Sequence, residues 1–207
     1  MSGVPGPRVG PKVGPQVGAQ ARARILGVDP GTRVVGYAIL DIPAPGRFEY
    51  VECGVLRVRA RDQLDDRLLE LGTGLREVIA EFRPAVIAIE RAFHGLNAAS
   101  ALKLAEARGV FKLVGLEHGL RVSEYAPAMI KRAVVGHGRA TKAQVQARVR
   151  LLCRLGSAPE ADAADALAIA ICHVQASRLP NFDHPRGLDP DLLANAQRRA
   201  KLLRRRR

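Results

Sequence analysis

The sequence predicts an α/β domain in which a five-stranded mixed sheet is flanked by helices. Three β-rich runs come first and are joined by short turns containing Pro and Gly, which is typical of an antiparallel meander. A fourth run is short and wholly apolar and follows an amphipathic helix, which is typical of a buried strand paired in parallel. With a second helix, a fifth strand and three further helices, the expected order is β-β-β-α-β-α-β-α-α-α.

The first three strands are expected at residues 25–28, 34–40 and 47–58. Pro30 and Gly31 end the first strand, and residues 42–46 form the loop between the second and the third. Asp29 therefore stands where a buried strand reaches the surface. Because an Asp before Pro-Gly often opens a turn by accepting main-chain N–H bonds, a turn residue and a ligand are equally good interpretations of Asp29 at this point.

The next two elements repeat this pattern of a strand that ends in an acid. Residues 62–82 carry apolar side chains at every third or fourth position, which predicts a helix that Pro84 ends. Residues 85–89, Ala-Val-Ile-Ala-Ile, are the apolar fourth strand. It ends in Glu90, for which an ordinary polar boundary residue is the alternative interpretation.

Residues 97–118 predict a long helix whose apolar stripe is wider than one buried face requires. Such a helix either packs on the sheet and also contacts a partner, or lies deeply buried in the domain. Residues 120–125 are expected to form the fifth strand. The remaining helices are expected at residues 127–136, 141–155 and 160–178.

The last of these helices carries two more acids near its start. Asp162 and Asp165 are three residues apart, so both project from one face, where two like charges destabilise a helix by a few tenths of a kcal/mol. A solvated first turn is one interpretation. Alanines flank both acids, however, and such small neighbours let a helix approach a sheet closely.

These four acids could meet at one place. If the first strand is central and the fourth lies beside it, Asp29 and Glu90 are neighbours, and the last helix can bring in Asp162 and Asp165. Four carboxylates without a counter-charge are stable together only if partly protonated or if they hold metal. Oxygen ligands select Mg²⁺ or Mn²⁺, and two such ions about 3.5–4 Å apart can activate a water and stabilise the leaving oxygen of a phosphodiester.

The net charge of +13 suggests a polyanionic partner. Residues 1–24 hold four basic side chains and no acid, and residues 178–207 hold nine basic and three acidic ones. Between Glu124 and Glu160 a further basic surface is expected, unless these residues only line a solvated helix face. This segment contains seven basic residues and no acid, namely Lys131, Arg132, Arg139, Lys142, Arg148, Arg150 and Arg154.

Composition also divides the chain and indicates its compartment. Residues 1–23 are too rich in Gly and Pro for a helix or strand, so we expect a disordered extension, a domain at 24–178, and a flexible basic tail at 179–207 with a short helix at 191–203. No apolar run approaches the roughly 18 residues that span a membrane. The start of the chain lacks the apolar core of a secretory signal. Cys53, Cys153 and Cys172 have no metal-ligand spacing, which favours reduced thiols in the cytoplasm.

Four stretches, taken in order from Arg24 to Gln175, resemble the RuvC family. They read GVDPGTRVVGYAI, AIERAF with NAASALKLAEARGV, EYAPAMIKRAVVGHGRATKAQVQ, and DAADALAIAICH. Members of this family are Holliday-junction resolvases with an RNase H-like (retroviral-integrase) fold. The resemblance implies a bacterial recombination and repair endonuclease that acts as a homodimer on four-way junction DNA.

The resemblance also implies roles for residues that match the motifs. Asp29, Glu90, Asp162 and Asp165 match the family's metal-binding catalytic acids, of which the position of Asp162 is the most replaceable because some members have His there. The other implied contacts are to DNA. Phe93 matches the aromatic residue inserted against a base, Lys131 and Lys142 match lysines that contact the scissile phosphates, and Arg91, Asn97, Arg132 and Arg139 are further candidates for DNA contact.

The chain departs from the family pattern at one position and at both ends. Many relatives carry a basic residue before the Asn of the loop, whereas Leu96 precedes Asn97 here. That basic contact is expected to be lost, or to be taken over by Arg91 or His94. The N-terminal extension and the Arg-rich tail lie outside the family core and are expected to add salt-sensitive affinity.

The implied mechanism is hydrolysis of two strands of like polarity by the two active sites of a dimer. Asp29 would bridge two Mg²⁺ ions, with Mn²⁺ able to substitute, and the products would be 5′-phosphate and 3′-hydroxyl ends. Helix 97–118 matches the family's dimer helix. The family further implies a sequence preference at the cut, a partnership with the RuvA and RuvB branch-migration proteins, and no nucleotide cofactor.

Three other functions fit parts of the pattern. Asp29 to Thr32, Asp-Pro-Gly-Thr, also fits the phosphate-binding turn of the actin and sugar-kinase superfamily, but such kinases need a second related domain. A non-catalytic junction-binding protein would bind without cutting, against which the four acids argue. A nuclease of this fold that acts on an RNA–DNA hybrid or another branched DNA would be distinguished by substrate competition.

Overall fold

A computed structural model of the chain describes residues 23–59, 63–91 and 97–178. Its five strands form one mixed sheet in the order β3-β2-β1-β4-β5. The strands are β1 (Ala23–Asp29), β2 (Val34–Ala44), β3 (Arg47–Arg57), β4 (Val86–Glu90) and β5 (Arg121–Tyr125). The expected fold class is therefore confirmed, with the first strand at the centre and the fourth beside it.

Strand β1 is the central strand of the sheet, and it pairs in a different direction on each of its two sides. It runs antiparallel to β2, with Asp29 opposite Gly36, and parallel to β4, with Val28 opposite Ile89. Strand β4 also runs parallel to β5. Since β1 and β4 run in the same direction, their last residues, Asp29 and Glu90, lie at the same edge of the sheet.

Five helices cover the two faces of the sheet within the described part of the chain. They are α1 (Leu64–Phe82), α2 (Ala98–Glu117), α3 (Pro127–Val135), α4 (Lys142–Leu152) and α5 (Ala161–Ala176). Helices α1 and α2 pack on one face, and α5, supported by α3 and α4, packs on the other. None of these described helices has the length and apolar character needed to cross a lipid bilayer.

The sheet is buried on both faces, as its alternating side chains show. Ile25 and Leu40 contact the α5 side, whereas Leu26, Val28 and Ile39 contact the α1–α2 side. All five are almost completely shielded from solvent. This double burial explains why β1 and β4 are continuously apolar runs and not alternating ones.

Helix α5 lies unusually close to the centre of the sheet. Twelve of its residues are buried, and six of these are alanines. A Cβ atom at Gly27 would overlap the main-chain oxygen of Ala166, and one at Gly36 would overlap that of Asp162. Glycine at these two strand positions is therefore what lets the first turns of α5 reach the end of β1.

The predicted loop at residues 42–46 is wrong in extent. Strand β2 continues to Ala44, and only Pro45 and Gly46 form the turn. Pro43 fits in the strand because the pairing with β1 stops at Ile42 and the pairing with β3 shifts register between Asp41 and Ala44. The missing N–H of Pro43 therefore removes no ladder hydrogen bond.

Several predictions fall wholly or partly outside the described residues. The proposed extension covers residues 1–23, of which only Ala23 is described, as the first residue of β1. The proposed tail, with its helix at 191–203, lies entirely outside, as do Phe93, His94 and Leu96. The other predicted element boundaries agree with the structure to within a few residues.

Candidate active site

The candidate site begins with three aspartates that converge where β1 ends. Asp29 is the last residue of β1, and Asp162 and Asp165 lie in the first two turns of α5. One carboxylate oxygen from each of the three lies within 4.8 Å of the other two. We call Asp29, Asp162 and Asp165 the acidic cluster.

The geometry of the acidic cluster follows from local sequence. Strand β1 cannot continue past Asp29, because Pro30 has no N–H for the ladder. Asp162 and Asp165 share one face of α5 because they are three residues apart. Gly36, opposite Asp29 in the sheet, admits the main chain of Asp162. The strand end and the helix start are thereby brought together without an intervening side chain.

The acidic cluster is electrostatically unfavourable when it holds no cation. Burial is the main cause that raises the pKa of Asp29 to about 8, and the charges of Asp165, Glu90 and Asp162 contribute to this rise, while Lys142 opposes it. The pKa of a carboxyl group rises in this way when its charged form lacks sufficient compensation. The structure therefore concentrates negative charge at a partly buried point that favours binding of a proton or a cation.

Glu90 lies beside the acidic cluster but is not part of it by the same distance criterion. Glu90 lines a cleft of about 200 Å³ together with Asp165, Lys131 and Lys142. Burial and Asp165 raise the pKa of Glu90, and the charges of Lys131, Arg108 and Lys142 oppose that rise. The structure thus brings three of the four predicted acids together and places the fourth in the adjoining cleft.

Lys142 belongs to the segment between Glu124 and Glu160 that is rich in basic residues, and it contacts the acidic cluster. Its Nζ donates to Oδ2 of Asp165 at 2.8 Å, and this contact raises the pKa of Lys142, so the side chain is held as a cation. Lys142 is the first residue of α4, whose start is fixed by a capping box in which Thr141 and Gln144 bond each other's main-chain N–H. Lys131 reaches the same cleft from α3.

The donor set of the acidic cluster fits a hard divalent cation. It consists of carboxylate oxygens, which Mg²⁺ and Mn²⁺ prefer. Ligands on opposite sides of a Mg²⁺ ion lie about 4 Å apart, because each Mg–O distance is about 2.0–2.1 Å. The three oxygens of the acidic cluster lie within 4.8 Å of one another, so a Mg²⁺ ion among them would draw the carboxylates closer together.

The other predicted DNA-contacting residues are more scattered. Arg132, on α3, and Arg139, in the turn before α4, are both exposed, and neither lines the cleft. Arg91 is exposed, and its N–H donates to the carbonyl oxygen of Tyr125 at 2.8 Å. The side-chain oxygen of Asn97 accepts a bond from the N–H of Ser100 at 2.9 Å, so Asn97 has a structural role as the N-cap of α2.

Sequence reasoning missed two features next to the site. The sequence analysis places Gly27 and Gly36 in strands and assigns them no further role, although an internal strand glycine is a recognised sign of close approach by another backbone. Arg108 of α2 donates from Nε to the carbonyl oxygen of Glu90 at 3.0 Å. No spacing rule connects residues 90 and 108, and only the packing of α2 on the sheet reveals this contact.

Comparisons with known proteins agree with this geometry. The sequence profile of the family described as "Crossover junction endodeoxyribonuclease RuvC" matches residues 25–173. Proteins with that same description include one from Shewanella amazonensis, 50% identical over 152 residues, which are 73% of this chain and 86% of the relative. One from Syntrophotalea carbinolica is 47% identical over 156 residues, 75% of this chain and 96% of the relative.

Solved structures show the same fold. The structure described as "T. thermophilus RuvC in complex with Holliday junction substrate" matches with a TM-score of 0.72 and 28% identity, covering 80% of this chain and 99% of that one. The yeast mitochondrial Holliday junction resolvase Ydc2 matches with a TM-score of 0.53 over 77% of this chain and 82% of its own. At 14% identity, the likeness to Ydc2 shows the shared fold alone.

Proposed function

This chain belongs to the RuvC family of crossover junction endodeoxyribonucleases, and from that membership we propose that it resolves four-way DNA junctions by paired symmetric nicks. The observation that carries the proposal is the convergence of Asp29, Asp162 and Asp165 beside a cleft lined by lysines. The solved relative from T. thermophilus is described with a Holliday junction substrate. The proposed role is therefore in homologous recombination and DNA repair.

The acids of the site would hold two Mg²⁺ ions, for which Mn²⁺ can substitute. Asp29, which lies between the end of β4 and the start of α5, would contribute to both positions, with Glu90 on one side and Asp162 and Asp165 on the other. Bound in this way, the ions would supply an activated water and stabilise the leaving 3′-oxygen of the phosphodiester. The expected products are 5′-phosphate and 3′-hydroxyl ends.

The two lysines would act on the phosphate itself. Lys142 is held against Asp165, and Lys131 lines the same cleft, so both cations would face a scissile phosphate bound there. They would orient this phosphate and offset the charge that develops on its oxygens during hydrolysis. Because Lys142 already pairs with an acid, an arriving cation would release its ammonium group for contact with DNA.

A wider basic surface would hold the DNA backbone. Helices α3 and α4 and the turn between them carry six of the seven basic residues found between Glu124 and Glu160, and Arg154 follows α4. Arg132 and Arg139 are exposed. Such contacts position the duplex arms without reading sequence. Arg91 and Asn97 border the segment that contains Phe93, and we propose that this border contacts the junction near its crossover.

We further propose that the enzyme acts as a homodimer through α2. This helix exposes Leu102 and Leu113, which keep 66% and 55% of their surface accessible. A two-fold symmetric dimer would place two identical sites on strands of like polarity, which accounts for paired nicks.

RuvA and RuvB are the proposed partners, and the cytoplasm is the proposed location. Residues 1–22 and 179–207 are proposed to add salt-sensitive affinity.

The proposal is tested by offering the enzyme three substrates, namely a mobile four-way junction, a linear duplex and an RNA–DNA hybrid, each with Mg²⁺ and with EDTA. We expect symmetric, ligatable nicks in the junction alone, and none with EDTA. Asp29→Asn should lower the cleavage rate by roughly a thousandfold while junction binding persists. Preferred cutting of the hybrid, or tight junction binding without cutting in Mg²⁺, would contradict the proposal.

A further inference from the structure

Arg108 lies at the centre of a polar network on the face of the sheet opposite the cleft. Its Nε donates to the main-chain oxygen of Glu90 at 3.0 Å, and a terminal nitrogen pairs with the carboxylate of Glu124 in β5. Lys112, one turn further along α2, pairs with the other Glu124 oxygen at 3.3 Å. Only 14% of the Arg108 side chain and 28% of that of Glu124 are exposed, so this ion pair is largely shielded from solvent.

The carbonyl group of Glu90 needs such a donor because the sheet does not supply one. Arg91 bonds β5 through its N–H. Since successive residues of a strand turn their main-chain groups to opposite sides, the carbonyl of Glu90 faces β1. There the pairing stops at Val28 opposite Ile89, and the residue after Asp29 is a proline without an N–H.

We propose that Arg108 is a positioning residue that fixes the main chain of Glu90 and thereby directs the Glu90 carboxylate into the cleft. This inference rests on the proposed function, because it concerns the orientation of the Glu90 carboxylate, which we assign to the metal site. Strand β4 ends at Glu90, and the N–H of Arg91 holds the chain there only on the side of β5, through the carbonyl oxygen of Tyr125. The guanidinium group of Arg108 replaces the missing ladder donor and ties Glu90 to β5 through Glu124.

The fork of an arginine is suited to this task and the ammonium of a lysine is not. Nε and a terminal nitrogen of Arg108 donate in two fixed directions, one to a carbonyl oxygen and one to a carboxylate. A lysine keeps the charge but is a single flexible donor group, which cannot reproduce this planar geometry. Arg108→Lys therefore removes the positioning while retaining the positive charge.

The chain contains a matched arrangement far from the site. Arg24 donates from Nε to Asp41 at 2.6 Å and from a terminal nitrogen to the main-chain oxygen of Phe82 at 2.8 Å. Like Arg108, it joins a carboxylate to a main-chain carbonyl oxygen. It stands at the start of β1, at the sheet edge opposite Asp29. Arg24→Lys is therefore the control for a general loss of stability.

The experiment compares the wild type, Arg108→Lys and Arg24→Lys as full-length chains. Three quantities are measured, namely Mn²⁺ affinity by electron paramagnetic resonance, the dependence of the single-turnover junction cleavage rate on Mg²⁺, and junction affinity in EDTA. We expect Arg108→Lys to raise the dissociation constant for Mn²⁺, and the Mg²⁺ concentration that gives half the maximal cleavage rate, about tenfold, as is typical when the support of a metal ligand is lost. Junction affinity should stay within about twofold of that of the wild type. Arg24→Lys should lower the melting temperature and leave all three quantities unchanged.

A second variant protects the test against misfolding. Glu124→Gln keeps Arg108 but weakens its contact with residue 124. It should raise the dissociation constant for Mn²⁺ and the Mg²⁺ concentration at half-maximal cleavage by a smaller factor than Arg108→Lys does. The inference is overturned if Arg108→Lys matches the wild type at every Mg²⁺ concentration, or if Arg24→Lys loses as much. If the wild type cuts no junction but Arg108→Lys still binds Mn²⁺ about tenfold more weakly, the proposed function fails and the positioning role stands.

Discussion

Asp29 and Asp41 lie at opposite ends of the β1–β2 hairpin, and they differ in how the protein compensates their negative charge. Asp41 faces Arg24 across the strands and accepts two hydrogen bonds from its guanidinium group, at 2.6 and 3.1 Å. Asp29 faces a glycine across the strands and two further aspartates from α5. One end of the hairpin therefore compensates its buried acid within the protein, and the other accumulates negative charge.

The difference separates a structural use of charge from a functional one. At Asp41 the carboxylate and guanidinium groups satisfy each other and connect β1, β2 and the end of α1. At Asp29 the raised pKa shows that the charged form is destabilised by burial and by like charges. A fold keeps such an arrangement at a cost in stability where binding requires it. The acidic cluster is accordingly a place in the described part of this domain that favours the binding of a cation.

Among the changes that test this comparison without altering an acid of the site, the largest expected effect comes from closing the space between β2 and α5. Gly36→Ala would place a methyl group against the main chain of Asp162 and push the start of α5 away from Asp29. We expect the rate of junction cleavage to fall by about a hundredfold, since misplacing reacting groups by about 1 Å has effects of this size. Gly156→Ala is the control, because a Cβ atom there would meet no atom within 4 Å. Equal rates for Gly36→Ala and the wild type would show that the close approach does not serve catalysis.

The opposite end of the hairpin should show the reverse behaviour. Asp41→Asn removes the partner of Arg24, whose side chain is 31% exposed, and should lower the free energy of unfolding by about 1–2 kcal/mol. Cleavage per folded molecule should remain that of the wild type, because Asp41 lies at the edge of the sheet away from the cleft. Urea unfolding and single-turnover cleavage measure the two quantities. A loss of cleavage with unchanged stability would break the comparison between the two ends.

The smallest effect is expected for an ion pair that is exposed at both partners. Arg57 and Glu160 join β3 to the residue that precedes α5, and their side chains are 54% and 59% exposed. Glu160→Gln should change the free energy of unfolding by less than about 0.5 kcal/mol, because solvent and salt screen such pairs. Chemical unfolding at low and at high salt measures this change. A larger loss would mean that this pair holds the start of α5 in place.

Much of this site could be predicted from the sequence, for identifiable physical reasons. The wholly apolar run before Glu90 requires a strand buried on both faces, and two such strands in parallel place Asp29 and Glu90 at one edge. Helical periodicity places Asp162 and Asp165 on one face. These inferences use only local rules, and the structure brings the residues they concern to one region.

The remaining features depend on contacts between distant parts of the chain. Gly36 has no local reason to be a glycine, since its importance comes from the main chain of Asp162. Arg108 reads as a polar residue on an apolar helix, and its role appears only where α2 crosses the end of β4. Asn97 matched a DNA-contacting motif, yet its side-chain oxygen caps α2. Sequence spacing cannot anticipate which element will supply a missing donor.

The most direct test of the central claim is the stability of the wild type and of Asp29→Asn between pH 4 and pH 9, with EDTA and with Mg²⁺. Because the pKa of Asp29 is raised from 3.8 to about 8, the folded protein binds more protons than the unfolded chain in this interval. The free energy of unfolding of the metal-free wild type should therefore fall as the pH rises towards 8. Mg²⁺ should restore the lost stability at pH 8, since it binds the folded state.

In Asp29→Asn this contribution to the pH dependence should disappear, and Mg²⁺ should have little effect on stability. That result would show that the acidic cluster is a cation site whose charge the fold leaves uncompensated. A wild type whose stability at pH 8 does not respond to Mg²⁺, or whose metal-free stability falls with pH no more steeply than that of Asp29→Asn, would contradict the account.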